Sequence, residues 1–361
     1  MPDSSSRPRL LFIYLKSMPF VEEDLELLRS RYDVRVFHFD VKRAQTLSGF
    51  AGLLIEQFRW LMRELPSADL VYGWFGDYHL LLPVLLGRWY NVPVVVPIAG
   101  FDAIHLPALN YGVYDSAWRR RVVQIVYRGA RLLLPVSETM IYTENRYSAY
   151  PETLANGVKA HVSNLQTPYE VIPFGYVADD WPMGPAERDP IVSTVGFMPD
   201  DRTFRRKGVD LLIEAARRMP DVQFEVIGVP AERHAPIQQT YQPPPNVTLH
   251  TPVPRESLPA MYGRASVYAQ LSRAEGQPNV LSEAMCCGCI PVGSNVFGIP
   301  ETIGDTGVVV DVPEIDAITA ALRRALDGAT PEAREAARTR ITDHFSLERR
   351  QRHLLDTLAC L

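Results

Sequence analysis

The sequence lacks the marks of the commoner ligand sites. No two of its 22 glycines are two positions apart, so the dinucleotide fingerprint G-x-G-x-x-G is missing. No two aspartates are two positions apart either. The D-x-D spacing that commonly bridges a divalent cation to a diphosphate is thus missing, and no metal site is expected. A G-x-x-x-x-G-K-[ST] phosphate loop and a G-x-S-x-G elbow are also absent. Cysteine is scarce, with four residues, three of them bunched at Cys286, Cys287 and Cys289. A four-ligand zinc centre needs a second ligand pair or neighbouring histidines, so these read as small buried residues at a helix end. Reduced cysteines fit the cytoplasm.

Long hydrophobic runs are missing too. Met1–Arg9 is polar with two prolines and holds no apolar core of a leader peptide. The greasiest stretch, Leu70–Pro97, is broken by Asp77, His79, Arg88 and Asn91, short of the ~18 apolar residues that a membrane span needs. Net charge is −5, so the overall balance offers nothing to nucleic acid. Hydrophobic residues at 47% and charged ones at 22% exclude a disordered chain or a fibre. A length of 361 residues suits about two domains at roughly 150 residues each.

What is present is alternation. Leu10–Leu15, Val34–Phe39, Leu70–Trp74, Val94–Ile98 and Arg131–Val136 read as buried strands separated by helix-length segments. Pro182–Pro190 carries three prolines and a glycine and reads as a linker. Alternation then resumes with strands at Ile191–Val195, Val222–Ile227, Val247–His250, Val267–Leu271, Ile290–Gly293 and Val308–Val310. Helices are expected at Gly208–Met219, Glu256–Arg264, Val280–Cys286, Ile315–Leu326 and Leu347–Leu358. Two α/β halves with parallel sheets follow, and ligands of such sheets gather beyond the strand C-termini.

Two stretches carry chemistry. In SRAEGQPNVLSEAMCCGCIPVGS, Ser272–Ser294, Glu275 and Gly276 form a turn and Pro278 suits a first helical turn. The amides of Asn279 and Val280 then form an anion site at a helix start. Glu283 lies about 7.5 Å further on at ~1.5 Å per residue. The two glutamates could bracket a sugar–diphosphate–ribose, although an acidic residue near a helix start also simply complements the dipole. In GFMPDDRTFRRKG, Gly196–Gly208, Arg202, Arg205, Arg206 and Lys207 gather beside an expected helix start. A bound diphosphate would relieve cations in that position, and a solvated basic loop is the plainer alternative. Trp118–Arg131 interleaves five arginines with Trp, Val and Ile, which suits either an anionic lipid surface or a helix packed on the sheet. Trp74, His79, Trp89 and Tyr90 read as core rather than a sugar platform.

These residues resemble the retaining nucleotide-sugar glycosyltransferases of family 4. The likeness rests on E-x7-E, Glu275 and Glu283, on FGIPETIGDTG, Phe297–Gly307, and on VIPFGY, Val171–Tyr176. The resemblance implies an α/β GT-B fold: two Rossmann-like α/β/α domains facing a central cleft. The acceptor-side domain would be 1–185, the donor domain 186–344, with the last helix, 345–361, crossing back. It implies that Lys207, with Arg206, contacts the donor diphosphate. Glu275 and Gly276 face sugar and phosphate, Asn279 and Val280 offer amides, and Glu283 binds ribose hydroxyls. Gly298 and Glu301 lie near the sugar.

Three positions depart from the family. Phe197 stands where an arginine is usual. Ala99-Gly100-Phe101-Asp102 replaces a stretch with a catalytic histidine, leaving Asp102 as the catalytic candidate and His105 as a weak substitute. Lys16–Phe20 occupies the place of a glycine-rich turn. The expected activity is hexosyl transfer with retention and without metal or further cofactor, a UDP-sugar being mildly preferred over a GDP-sugar. The acceptor would be a glycan, a lipid-linked group or a small molecule, and the enzyme cytoplasmic with peripheral contact at the inner membrane face. The alternatives are a non-catalytic GT-B scaffolding partner of an active transferase and a GT-B epimerase.

Overall fold

The computed structural model describes residues 7–361. Six of the nine residues in the polar start, Met1–Ser6, lie outside the described residues. Two compact units account for the chain. One comprises residues 7–142, 156–173 and 351–361, and the other comprises 143–155 and 174–350. As expected, the chain end returns to the first unit, but the bounds differ from 1–185 with 345–361 and 186–344. The second unit takes in an excursion at 143–155 and begins its main stretch at Phe174, and the return to the first unit starts at 351.

The first unit is built on β1 (Arg9–Tyr14), α1 (Pro19–Arg29), β2 (Asp33–His38), α2 (Leu47–Glu64), β3 (Leu70–Gly73), α3 (Leu81–Tyr90), β4 (Val94–Ile98), α4 (Ala117–Gly129) and β5 (Leu132–Pro135). The five strands pair in parallel in the order β2-β1-β3-β4-β5. Strands covered on both faces must be apolar throughout, and Leu10–Ile13 and Val94–Val96 are fully buried. The order reverses at β1, the place where doubly wound sheets open a crevice beyond their C-terminal strand ends.

Between the units' sheets the chain forms β6 (Thr143–Asn145), β7 (Leu154–Asn156) and the short α5 (Val158–His161). The second sheet follows: β8 (Ile191–Val195), α6 (Asp201–Arg206), α7 (Val209–Arg217), β9 (Gln223–Ile227), α8 (Ala231–Tyr241), β10 (Val247–His250), α9 (Leu258–Arg264), β11 (Val267–Gln270), α10 (Asn279–Cys286), β12 (Ile290–Ser294), α11 (Gly298–Ile303) and β13 (Val308–Val310). Its six strands run in parallel in the order β10-β9-β8-β11-β12-β13. Three helices close the chain: α12 (Ile315–Asp327), α13 (Pro331–His344) and α14 (Leu347–Ala359). The expected α/β class with two Rossmann-like sheets is the observed one.

Some local expectations change. Trp74 and His79 are core, but Trp89 is 85% exposed on α3. In α4, Val123, Val126 and Tyr127 are buried, and three of the five arginines have inward partners. Arg119 pairs with Asp77, Arg120 donates to the Tyr114 carbonyl at 2.7 Å, and Arg128 donates to the Ser163 carbonyl at 2.8 Å. Arg120, Arg121, Arg128 and Arg131 are all exposed. No helix of the described residues is long and apolar enough to cross a membrane.

Candidate active site

The basic stretch after β8 folds differently from its expected form. Asp200 caps α6 by accepting from the Thr203 amide at 2.7 Å, and that hydrogen bond holds its carboxyl below the usual range. The helix therefore begins before the arginines. Arg205 and Arg206 fall in its last turn and Lys207 is its C-cap, where cations complement the dipole. Arg202 lies in the first turn of α6, and Lys207 directly precedes Gly208, the N-cap of α7, so the cluster lies beside the expected helix start while also closing the short α6 that the sequence did not announce. Gly208 follows at φ +74°, and a Cβ there would stand 1.9 Å from the Leu271 carbonyl oxygen. Gly196 lets the Lys207 stem pass, since a Cβ at Gly196 would lie 3.2 Å from Lys207 Cε.

This path carries the Lys207 ammonium to Glu275. Its Nζ donates to Glu275 Oε2 at 2.9 Å, and Arg206 reaches the same oxygen at 3.3 Å. Arg206 is fixed by a second donation to the Ala274 carbonyl at 2.8 Å. Burial raises the Glu275 pKa, but Lys207 and Arg206 more than offset it, so the carboxyl sits below its usual range. Burial, with Arg206 adding to it, lowers Lys207 against the pull of Glu275. One carboxylate oxygen therefore faces two cations.

Glu275 and Gly276 form the loop into α10. Pro278 is the N-cap rather than a first-turn residue, and no side chain caps the helix. The amides of Asn279 and Val280 open it without intrahelical acceptors. The loop is pinned from two sides. Phe174 donates its amide to Gln277 Oε1 at 2.6 Å, and Tyr176 donates to Asn279 Oδ1 at 2.8 Å. Gly298 donates to the Gly276 carbonyl at 2.9 Å, which ties the start of α11 to the same loop. Glu301 is on α11, exposed. Glu283 is buried one turn into α10 and takes a bond from Arg255 at 3.1 Å.

The structure therefore joins Lys207, Arg206 and Glu275 directly and strings Gly276, Asn279, Val280 and Glu283 along the next two turns. Phe197, 64% exposed, extends no cation toward this loop. Asp102 belongs to the other unit. It is buried and its two oxygens accept from the amides of Gly76 at 3.0 Å and Gly100 at 3.2 Å and from the Tyr127 hydroxyl at 2.9 Å. It ties the loop after β3 to the loop after β4. His105 pairs with Asp115 at 2.8 Å. Sequence reasoning missed Arg255, Gln277 and Tyr176. Each acts through a partner at least 28 positions away, so no local pattern marks it. Among the described residues no three His, Cys, Asp or Glu side chains gather at metal-ligand spacing.

Residues 185–343 match the family described as glycosyl transferases group 1. Curated relatives include the O-antigen chain mannosyltransferase B of Escherichia coli, 42% identical over 74 residues, 20% of this chain and 19% of the relative. A second is the GDP-mannose-dependent alpha-(1-6)-phosphatidylinositol monomannoside mannosyltransferase of Mycolicibacterium smegmatis. It is 35% identical over 141 residues, 34% of this chain and 36% of the relative. The matched stretches thus span only a fifth to about a third of those relatives. Over nearly the whole length, the structure resembles sucrose-phosphate synthase from Thermosynechococcus elongatus, with a TM-score of 0.72 at 17% identity and 98% of each chain covered. That likeness shows the fold, a GT-B-like pair of Rossmann-like units.

Proposed function

We propose that the chain is a retaining, metal-independent glycosyltransferase that moves a hexose from a nucleoside-diphosphate sugar to an acceptor hydroxyl. The observation that carries this reading is the convergence of Lys207 and Arg206 on Glu275 beside the start of α10. It falls inside the segment that matches glycosyl transferases group 1. In the transfer, the bond from the anomeric carbon to the diphosphate oxygen breaks and a bond to the acceptor oxygen forms. The hydroxyl proton leaves on the released nucleoside diphosphate. Negative charge builds on that leaving group, and Lys207, Arg206 and the Asn279 and Val280 amides are suited to meet it. Glu275 holds the ammonium in place, and Glu283 accepts from ribose hydroxyls in place of Arg255. Attack from the face that the diphosphate leaves needs no enzymic nucleophile, which is how retention would arise.

The first unit would hold the acceptor, with Asp102 positioning its loops, and the second unit the donor. Two donors stand against each other. The E-G-x-P-N wording favours a UDP-sugar, while the name of the mycobacterial relative carries GDP-mannose. A cytoplasmic enzyme touching the membrane face through the exposed arginines in and after α4 completes the reading. A thermal-shift panel of UDP-, GDP- and ADP-sugars tests it, since a ligand of the folded state raises apparent stability. Lys207→Ala and Glu275→Ala should each slow transfer at least tenfold, about 1.4 kcal/mol in the barrier. Near-normal turnover in both variants would overturn the assignment. Donor hydrolysis without acceptor separates an enzyme from a scaffolding partner.

A further inference from the structure

A cavity of about 360 Å³ opens beyond the C-terminal ends of β1, β3 and β4 in the first unit. That is small among ligand pockets, which run from about 300 to 1,000 Å³. Its walls are Leu15, Met18, Phe75, Phe101 and Val113. Phe75 is held at φ +70°, a region that costs a side-chain-bearing residue about 1–3 kcal/mol and is retained where the surroundings impose it. The next residue shows what imposes it. Gly76 donates its amide to Asp102, and a Cβ there would stand 2.3 Å from the Tyr127 ring.

The carboxylates of the wall are already paired with donors, and the Tyr78 hydroxyl is its other polar group. Asp102 accepts from two amides and a hydroxyl. Asp77 accepts from the Tyr78 amide at 2.8 Å and from both ends of the Arg119 guanidinium. Arg119 lies over the rings of Tyr78 and Phe101, at 5.7 and 5.4 Å from their centroids. Lys16, at the exposed rim, is the remaining charge. A polyhydroxylated group entering this cavity would lose water and find few partners, which costs free energy for each unmatched hydroxyl. An apolar group gains about 25 cal/mol per Å² buried.

We propose that this cavity binds the apolar part of the acceptor, an aryl or alkyl group adjoining the hydroxyl that receives the sugar. The inference rests on the glycosyl-transfer reading and names the acceptor class for it. A free amphiphile and a lipid offer the same chemistry, and the experiment separates them.

Isothermal titration of the full chain with methyl and octyl β-D-glucoside, below the micelle concentration of the latter, should show at least tenfold tighter binding of the octyl compound. Phe101→Ser and Met18→Gln, both at partly exposed positions, should each cut that advantage at least fivefold. Both should leave the nucleotide-sugar thermal shift unchanged. Sedimentation with dioleoylphosphatidylglycerol vesicles then sorts the source: vesicle binding that Phe101→Ser weakens marks a lipid, and octyl binding without vesicle binding marks a soluble amphiphile. Equal affinity for methyl and octyl glucoside, or an advantage that survives both variants, overturns the proposal. Absence of any nucleotide-sugar shift overturns the transfer reading instead, and the methyl–octyl comparison still decides the chemistry of the cavity.

Discussion

The Lys207 ammonium lies 2.9 Å from a Glu275 carboxylate oxygen that Arg206 also approaches, at 3.3 Å. Both cations thus converge on a single carboxylate oxygen. Glu275 is also the group that keeps the Lys207 proton on, because burial and Arg206 both act to remove it. Glu275→Gln should therefore lower the Lys207 pKa further. Donor affinity, where it needs the ammonium, is lost as pH rises, and in this variant the loss should begin at lower pH than in the parent. Titration of donor binding between pH 7 and 10.5 measures this, and superimposable profiles would remove Lys207 from the donor site.

Gly208→Ala should be severe. The backbone there is left-handed, at about 1–2 kcal/mol for any other residue, and a methyl would collide with the Leu271 carbonyl. A loss of more than about 2 kcal/mol in urea unfolding is expected, with weakened donor binding because Lys207 is the preceding residue. A variant of parental stability would mean that α6 and α7 can be rejoined another way.

Asp102→Asn replaces an acceptor of three hydrogen bonds with a group that presents N–H to one of its donors. About 1–3 kcal/mol of stability should go. The pH dependence should change as well. Burial raises the native Asp102 pKa above 3.8, so the native state holds its proton to higher pH than the unfolded chain. Raising pH from about 3.8 through the native pKa therefore costs the parent stability, a slope that Asp102→Asn removes. Urea midpoints taken every half unit of pH test both statements.

Thiol labelling tests the packing behind α10. Burial pushes the Cys286 thiol up to about 12 and the Cys289 thiol to about 11, and raises Cys287 too, while Cys360 is exposed. A thiolate reagent at pH 8 should modify Cys360 alone in the native protein and all four in denaturant. Rapid labelling of any of the three buried thiols would show that the C-terminal end of α10 opens. That end is otherwise held by Arg188 donating to the Cys287 carbonyl at 2.6 Å.

The sequence by itself determined the class of fold and the chemistry-bearing loop of the second unit. A continuous apolar run such as VVVPI suits a sheet covered on both faces, and β4 and β8 coincide with the strands expected at Val94–Ile98 and Ile191–Val195. The spacing of Glu275 and Glu283 is likewise local, since it is set by one turn and one helix. Segments with weak periodicity were illegible. α8 contains Pro236 and buries only Ile237, and α13 is a run of charged residues whose inward side is Arg334, Ala337 and Ile341. Tertiary structure alone decided the rest. It placed Arg205, Arg206 and Lys207 at the end of one short helix directly before the start of the next, and joined Lys207 to a carboxylate 68 positions away. It gave Asp102 to two loop amides and left an apolar cavity among loops that look polar in sequence. Hydrophobic periodicity reports which face of an element is buried, whereas a charge pair or cavity wall is made by elements that meet only once the sheets have formed.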